Sequence, residues 1–232
     1  MKKSSSKTSF RRIVDMAYAS QLPSAAIDIQ AIAVLGRAQG EETGQLGRHQ
    51  GVIDCATELA TAHYLLAPVA IPGHDGSYDD SGQRVPTGYL GYQAWRTMLV
   101  SLGVSSSRIT PFIVRPSHEK ITHTREETDG LVLLAQQQNW QNIILIAFPH
   151  QMPRVLASLL MSCRVLGVNI NAYPWVPRPI DWDTLSHGSR GLAALPLHQQ
   201  VDEEKERCNN YPNKGWIVPL PEVERYLADL SC

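Results

Sequence analysis

No run of about 18 apolar residues occurs in the 232-residue chain, so no transmembrane span is expected. The Ser-rich start carries Lys2, Lys3, Lys7, Arg11 and Arg12, yet no apolar h-region follows them. The next stretch, "IVDMAYASQLPS", is interrupted by Asp15 and amphipathic, so the start reads as a frayed tail rather than a secretory leader or a binding arm. Neither charge sign dominates. With 21 Lys+Arg against 22 Asp+Glu the net charge is -1, which leaves no electrostatic footprint for nucleic acid or an anionic membrane. Cysteine is scarce: Cys55, Cys163, Cys208 and Cys232, none in a CxxC pair, which fits the reduced cytoplasm. Cys55 and Cys163 fall on apolar helix faces and read as buried thiols, whereas Cys208 stands in a polar stretch and reads as exposed. GxGxxG, P-loop, GxSxG, HExxH and DxDxDG patterns are all absent, as is any internal repeat.

Short apolar runs alternate with amphipathic segments. "AIAVLG" (31–36), "PVAIPG" (68–73), "TPFIV" (110–114), "NIILIAF" (142–148) and "VNINAY" (168–173) are strand candidates without polar alternation, as expected for strands covered on both faces. Between them, Val52, Ala56, Leu59, His63 and Leu66 recur at helical spacing. Trp95, Met98, Leu99 and Leu102 do so ahead of Gly103, Leu131 and Leu134 mark a helix to Gln138, and "PRVLASLLMSCRVLG" has Pro153 in its first turn and Gly167 past its end. This alternation predicts an α/β, Rossmann-like three-layer fold with a mostly parallel sheet of about five strands. The expected organisation is an N-terminal tail and helix (1–30), the α/β domain (31–173) and a Pro/Trp-rich extension (174–232) packed on it. Within that extension 202–214 reads as irregular or a short helix, and Val223, Tyr226, Leu227 and Leu230 share one face of a closing helix.

In open parallel sheets ligands bind beyond the carboxyl ends of the strands. The segments expected there are "GRAQGEETGQLGR", "GHDGSYDDSGQRVPTG", "RPSHEKITHTREE", "PHQMPR" and "PWVPRP", and each carries arginine, histidine or glycine. The opposite edge is plainer. Arg37 and Arg48 suit a phosphate or carboxylate, or an ion pair with Glu41 or Glu42. His74 and Asp75 open a long loop. His150 and Arg154 flank a helix start whose N–H groups favour an anion. A cation at that end opposes the helix dipole, so Arg154 needs a bound anion or a partner acid such as Glu119.

The order of these motifs resembles the DUF218, or YdcF-like, family from about Ile32 to Pro177. "AVLGRA" stands for its VVLGG-like strand, and "AIPGHD" for the strand ending near SGG. "EKITHTREE" stands for E-R-S-x-N-T-x-E-N, and "LIAFPHQMPRV" for the strand followed by an H-M-P-R-A helix start. Gly36, Arg48, Glu119, Thr124, Glu126 and Met152–Arg154 keep the pattern, while Ile121, His123, Glu127 and Gln151 depart from it, marking a divergent member. The resemblance implies the Rossmann-like fold and, from some members, S-adenosylmethionine binding. The envelope role of anchored members is not implied for a chain without that anchor.

Three functions are open at this point. The first is a small-molecule enzyme, such as a transferase or hydrolase, or a binding protein with an anionic or nucleotide-like ligand. Gly36, Arg37, Arg48, Gly73, Asp75, Thr122, Thr124 and Arg154 would hold that ligand, and Glu119, His123, His150, His74 and Glu126 would handle protons. For S-adenosylmethionine, Glu119 or Asp75 would accept from the ribose hydroxyls. The second is a metal-assisted hydrolase using His74, Asp75, His118, Glu119, His123 and His150, although no spacing sets two of them on one helix face. The third is a non-catalytic sensor or scaffold with the same pocket. A homodimer is compatible with the apolar extension. In "SHEKITHTREET" (117–128), Thr124 with Glu127 fits a capping box, which leaves Glu119 and His123 for the cleft.

Overall fold

The structure, a computed structural model, describes residues 3–35, 51–74, 77–78, 84–85, 89–115, 124–179, 182–183, 185–186 and 195–230. A first helix, α1 (Lys3–Ala19), leads to β1 (Ala31–Val34), α2 (Val52–Glu58) and β2 (Val69–Pro72). Two short strands, β3 (Ser77–Tyr78) and β4 (Arg84–Val85), pair as an antiparallel ribbon. Then come α3 (Tyr92–Ser101), β5 (Ile109–Phe112), α4 (Thr124–Gln138), β6 (Asn142–Ile146), α5 (Met152–Leu166) and β7 (Asn171–Trp175). A second ribbon, β8 (Leu185–Ser186) with β9 (Leu195–Pro196), precedes α6 (Leu197–Asn210) and α7 (Leu220–Leu230).

The five long strands form one parallel sheet in the order β5-β2-β1-β6-β7. The chain builds outward from β1 in one direction and then returns to its other side, so the strand order reverses between β1 and β6. Alternate side chains divide the core. Ala31, Ala33, Leu35, Ile143 and Leu145 face α1, α4, α5 and α7, while Ile32, Val34, Ile144 and Ile146 face α2 and α3. Both faces of the sheet are apolar and both are covered by helices, which is the three-layer arrangement expected from the sequence.

The differences from expectation have local causes. β7 starts three residues late and includes Pro174, which the sequence argues out of a central strand; β7 is an edge strand, where a missing N–H is tolerated. Pro111 lies in β5, the other edge. The Tyr226 hydroxyl on α7 accepts the Ala172 N–H at 2.6 Å and so occupies an exposed ladder position of β7. After α2 the helix widens into a turn at Leu59–His63, closed by the Tyr64 N–H on the Leu59 carbonyl at 2.7 Å. That extra residue per turn rotates the pattern, so His63 and Leu66 are exposed instead of lining the buried face. Leu102 lies past the end of α3 and is exposed too. The Ser-rich start is no frayed tail in its backbone, because it forms the first turns of α1.

The largest correction is α6. The stretch 202–214, read as irregular or a short helix, belongs for the most part to a helix of 14 residues that starts earlier, at Leu197, and buries Leu197, Gln200, Glu204, Arg207 and Cys208. Cys208 is therefore buried, not exposed, and burial pushes its thiol up, as it does for Cys55 and Cys163. Among the described residues, no helix is long and apolar enough to cross a membrane.

Candidate functional site

The carboxyl edge of the sheet is built by tight connections. The Leu35 N–H donates to the Ile146 carbonyl at 2.8 Å, extending β1 beside β6 at the point of strand reversal. The Gly73 N–H donates to the Phe112 carbonyl at 2.9 Å, extending β2 beside β5. A Cβ at Gly73 would stand 2.9 Å from that same carbonyl oxygen, so close backbone approach is one reason for glycine here. Gly130 is more constrained: its Cβ would lie 2.1 Å from the Ile113 carbonyl oxygen. This glycine lets α4 settle on the end of β5 and sets the height of its first turn. A hydrogen bond of 2.8 Å between Thr128 Oγ1 and Ser162 Oγ then ties α4 to α5.

That first turn carries Thr124, Glu126 and Glu127, with both acids placed where the helix dipole favours them. Thr124 and Glu127 reach two different basic groups. Thr124 Oγ1 accepts a hydrogen bond from Arg154 Nη1, so the hydroxyl the sequence offers as a cap is engaged by a neighbouring helix. Glu127 lies 3.9 Å from His74 Nε2.

Arg154 sits in the first turn of α5 and is buried. The acid that answers it is Glu204 on α6, with bonds of 2.5 Å from Nε and 3.1 Å from Nη2 in a two-pronged arrangement. Arg207, one turn further along α6, donates to the same carboxylate and to Glu203. Burial alone would lower the Arg154 pKa and raise that of Glu204. Their mutual charge and hydrogen bonds win on both sides, leaving Arg154 above its ordinary value and Glu204 below. The α5 start is closed as well. The N–H groups of Gln151 and Met152 donate to the Phe148 carbonyl, and Pro153 has none to offer. The anion expected at this helix start therefore loses those donors to the turn itself.

His150 is buried between Phe148 and Trp182, with ring centroids 6.0 and 6.5 Å away. Burial pushes its pKa down to about 4; Glu204 opposes that shift, while Arg154 and Arg207 reinforce it. A ring held neutral and out of solvent is a weak base. Trp182 thus brings a residue of the extension against His150.

His74 differs. It follows β2 directly, and its side chain is 18% exposed against 3% for Glu127. Its carbonyl accepts the Tyr92 N–H at 3.0 Å. Its ring lies 4.8 Å from that of Tyr89, which is fixed in turn by a hydrogen bond to the Pro72 carbonyl and by edge-on packing against Trp95.

Of the residues singled out from the sequence, the structure thus brings Gly73, His74, Thr124, Glu126, His150 and Arg154 to one edge of the sheet. Gly36, Arg37, Arg48, Asp75, His118, Glu119, Thr122 and His123 lie outside the described residues. Sequence reasoning missed Tyr89, Glu204, Arg207 and the contact of Glu127 with His74. A helical period of polar residues at Gln200, Glu204 and Arg207 was the available sign for α6, but a search for apolar periodicity passes over it. Compared with protein-family models, with curated proteins and with solved structures, the chain finds no match.

Proposed function

We propose that this chain is a small-molecule enzyme, of the transferase or hydrolase kind, or a binding protein, and that its ligand is anionic or nucleotide-like. S-adenosylmethionine is the first candidate, carried by the resemblance to the YdcF-like family, of which the chain would be a divergent member. The observation that carries the reading is the reversal of strand order between β1 and β6. Open α/β sheets leave a crevice at such a point, beyond the strand ends, and ligands bind there. The segments that follow β1 and β2 in the sequence contain Arg37, Arg48 and Asp75, which suit phosphate, carboxylate and ribose. His74 adds a half-buried group able to exchange protons near neutral pH.

A thermal-shift screen with S-adenosylmethionine, ATP and divalent metal ions, on the native chain and on His74→Ala, tests this. A ligand at about a hundred times its Kd stabilises by ~2.7 kcal/mol, a rise of several degrees for a chain of this size. The expected result is such a rise with S-adenosylmethionine or ATP and a smaller one in His74→Ala. A rise with a metal ion alone would replace the reading with metal-assisted hydrolysis. No rise with either organic ligand would overturn it.

A further inference from the structure

The geometry points to His74 and Glu127 as a proton-accepting pair at the mouth of the cleft, with His74 the catalytic base and Glu127 its positioning carboxylate. This rests on the reading of the cleft given above and names the group within it that does chemistry.

Glu127 is an acid that a globular interior disfavours unless something answers its charge. It is nearly sealed, 3% exposed, and an imidazole stands 3.9 Å from it. His74 is the open end of the pair. The backbone of residue 74 is anchored by the Tyr92 N–H, and the ring is held against Tyr89, itself bonded to Pro72 and braced by Trp95. Ring and carboxylate come from different elements, the end of β2 and the first turn of α4. Gly130 sets their separation by allowing α4 to sit against Ile113. Among the described residues, the titratable groups facing the His74 ring include Glu127 from α4 and Tyr89 from the segment before α3.

A buried carboxylate beside an oriented, partly open imidazole matches the base-and-orienter arrangement of general base catalysis. The carboxylate favours the tautomer with the proton on Nε2, so the lone pair belongs to Nδ1. When a ligand O–H or N–H bond breaks, its proton passes to Nδ1, its electron pair stays on the ligand, and Glu127 balances the imidazolium. A separation of 3.9 Å is looser than a hydrogen bond, as such pairs often are before a ligand closes on them.

The test is a histidine 1H–15N NMR titration of the full chain, with His74→Asn used to assign the ring signals. In the native chain the neutral His74 ring should carry its proton on Nε2. Glu127→Gln should lower the titration midpoint of His74 by about one pH unit or more, with Glu127→Asp restoring part of the shift. Diethyl pyrocarbonate, which acylates accessible neutral imidazole, should label His74 ahead of buried His150. An unchanged midpoint in folded Glu127→Gln overturns the proposal. So does an Nδ1-protonated neutral ring in the native chain, or a His74 inert to the reagent, and the labelling result depends on no variant. None of these measurements uses a ligand, so a blank thermal-shift screen would end the cleft reading while the pair is judged separately.

Discussion

Two acid–base contacts meet at the first turn of α4, three residues apart, and they are built differently. Around Thr124, the Arg154–Glu204–Arg207 cluster is buried, forked and joined across three helices. Around Glu127, His74 stands at a looser 3.9 Å and stays partly open to solvent. The first arrangement locks α6 onto α5 and α4; its charges are already used, and a ligand would have to compete with Glu204 for Arg154. The second keeps part of a titratable ring in solvent. Charge at a sheet edge is therefore a poor guide to function until one asks which charges are already engaged.

If that contrast is right, damage to the two sites should differ in kind. Glu204→Ala strands two buried guanidinium groups and should cost about 3–5 kcal/mol, a large share of a typical folding stability. Urea denaturation measures it, and an apolar replacement of both Arg154 and Glu204 should cost less than the single change. Gly130→Ala comes next. Its methyl group meets the Ile113 carbonyl, and relief by backbone movement should cost about 1–3 kcal/mol or more while lifting Glu127 away from His74.

The third effect depends on pH. His150 has a folded pKa of about 4, below its unfolded value near 6.5, so the unfolded chain binds the extra proton. Its contribution is fully present above pH 6.5 and is lost as pH falls toward 4, a change on the order of 3 kcal/mol. Glu204, whose pKa is lowered, adds a loss in the same direction at more acid pH. His150→Gln should flatten the upper part of the acid profile of the urea midpoint. The smallest effect belongs to Glu127→Gln, within about 1 kcal/mol in stability, since its role is in the pair with His74. A loss as large as that of Glu204→Ala would erase the contrast between the two regions.

The sheet was legible because apolar strands and helical periods repeat in order, and Gly167 and Pro153 punctuate α5 as such residues do. Boundaries slipped where an edge strand tolerates Pro174 and where a widened turn after α2 shifts the register. The length of α6 and its packing were hidden because it buries charge. Glu204 and Arg207 look like solvated residues until Arg154, 50 positions away from Glu204, supplies their counterpart. A similar distance in sequence concealed the His74–Glu127 contact. Glu127 fits a helix cap on local grounds, and no local pattern announces that β2 brings an imidazole beside it.

The most direct test of the central claim is a map of backbone amide shifts as S-adenosylmethionine or ATP is added to the 15N-labelled chain. Binding at the point of strand reversal predicts that the affected amides cluster at Leu35, Gly73, His74 and Phe148–Gln151. Changes confined to the opposite edge, at Ala67, Gly103 and Asn139, would contradict it.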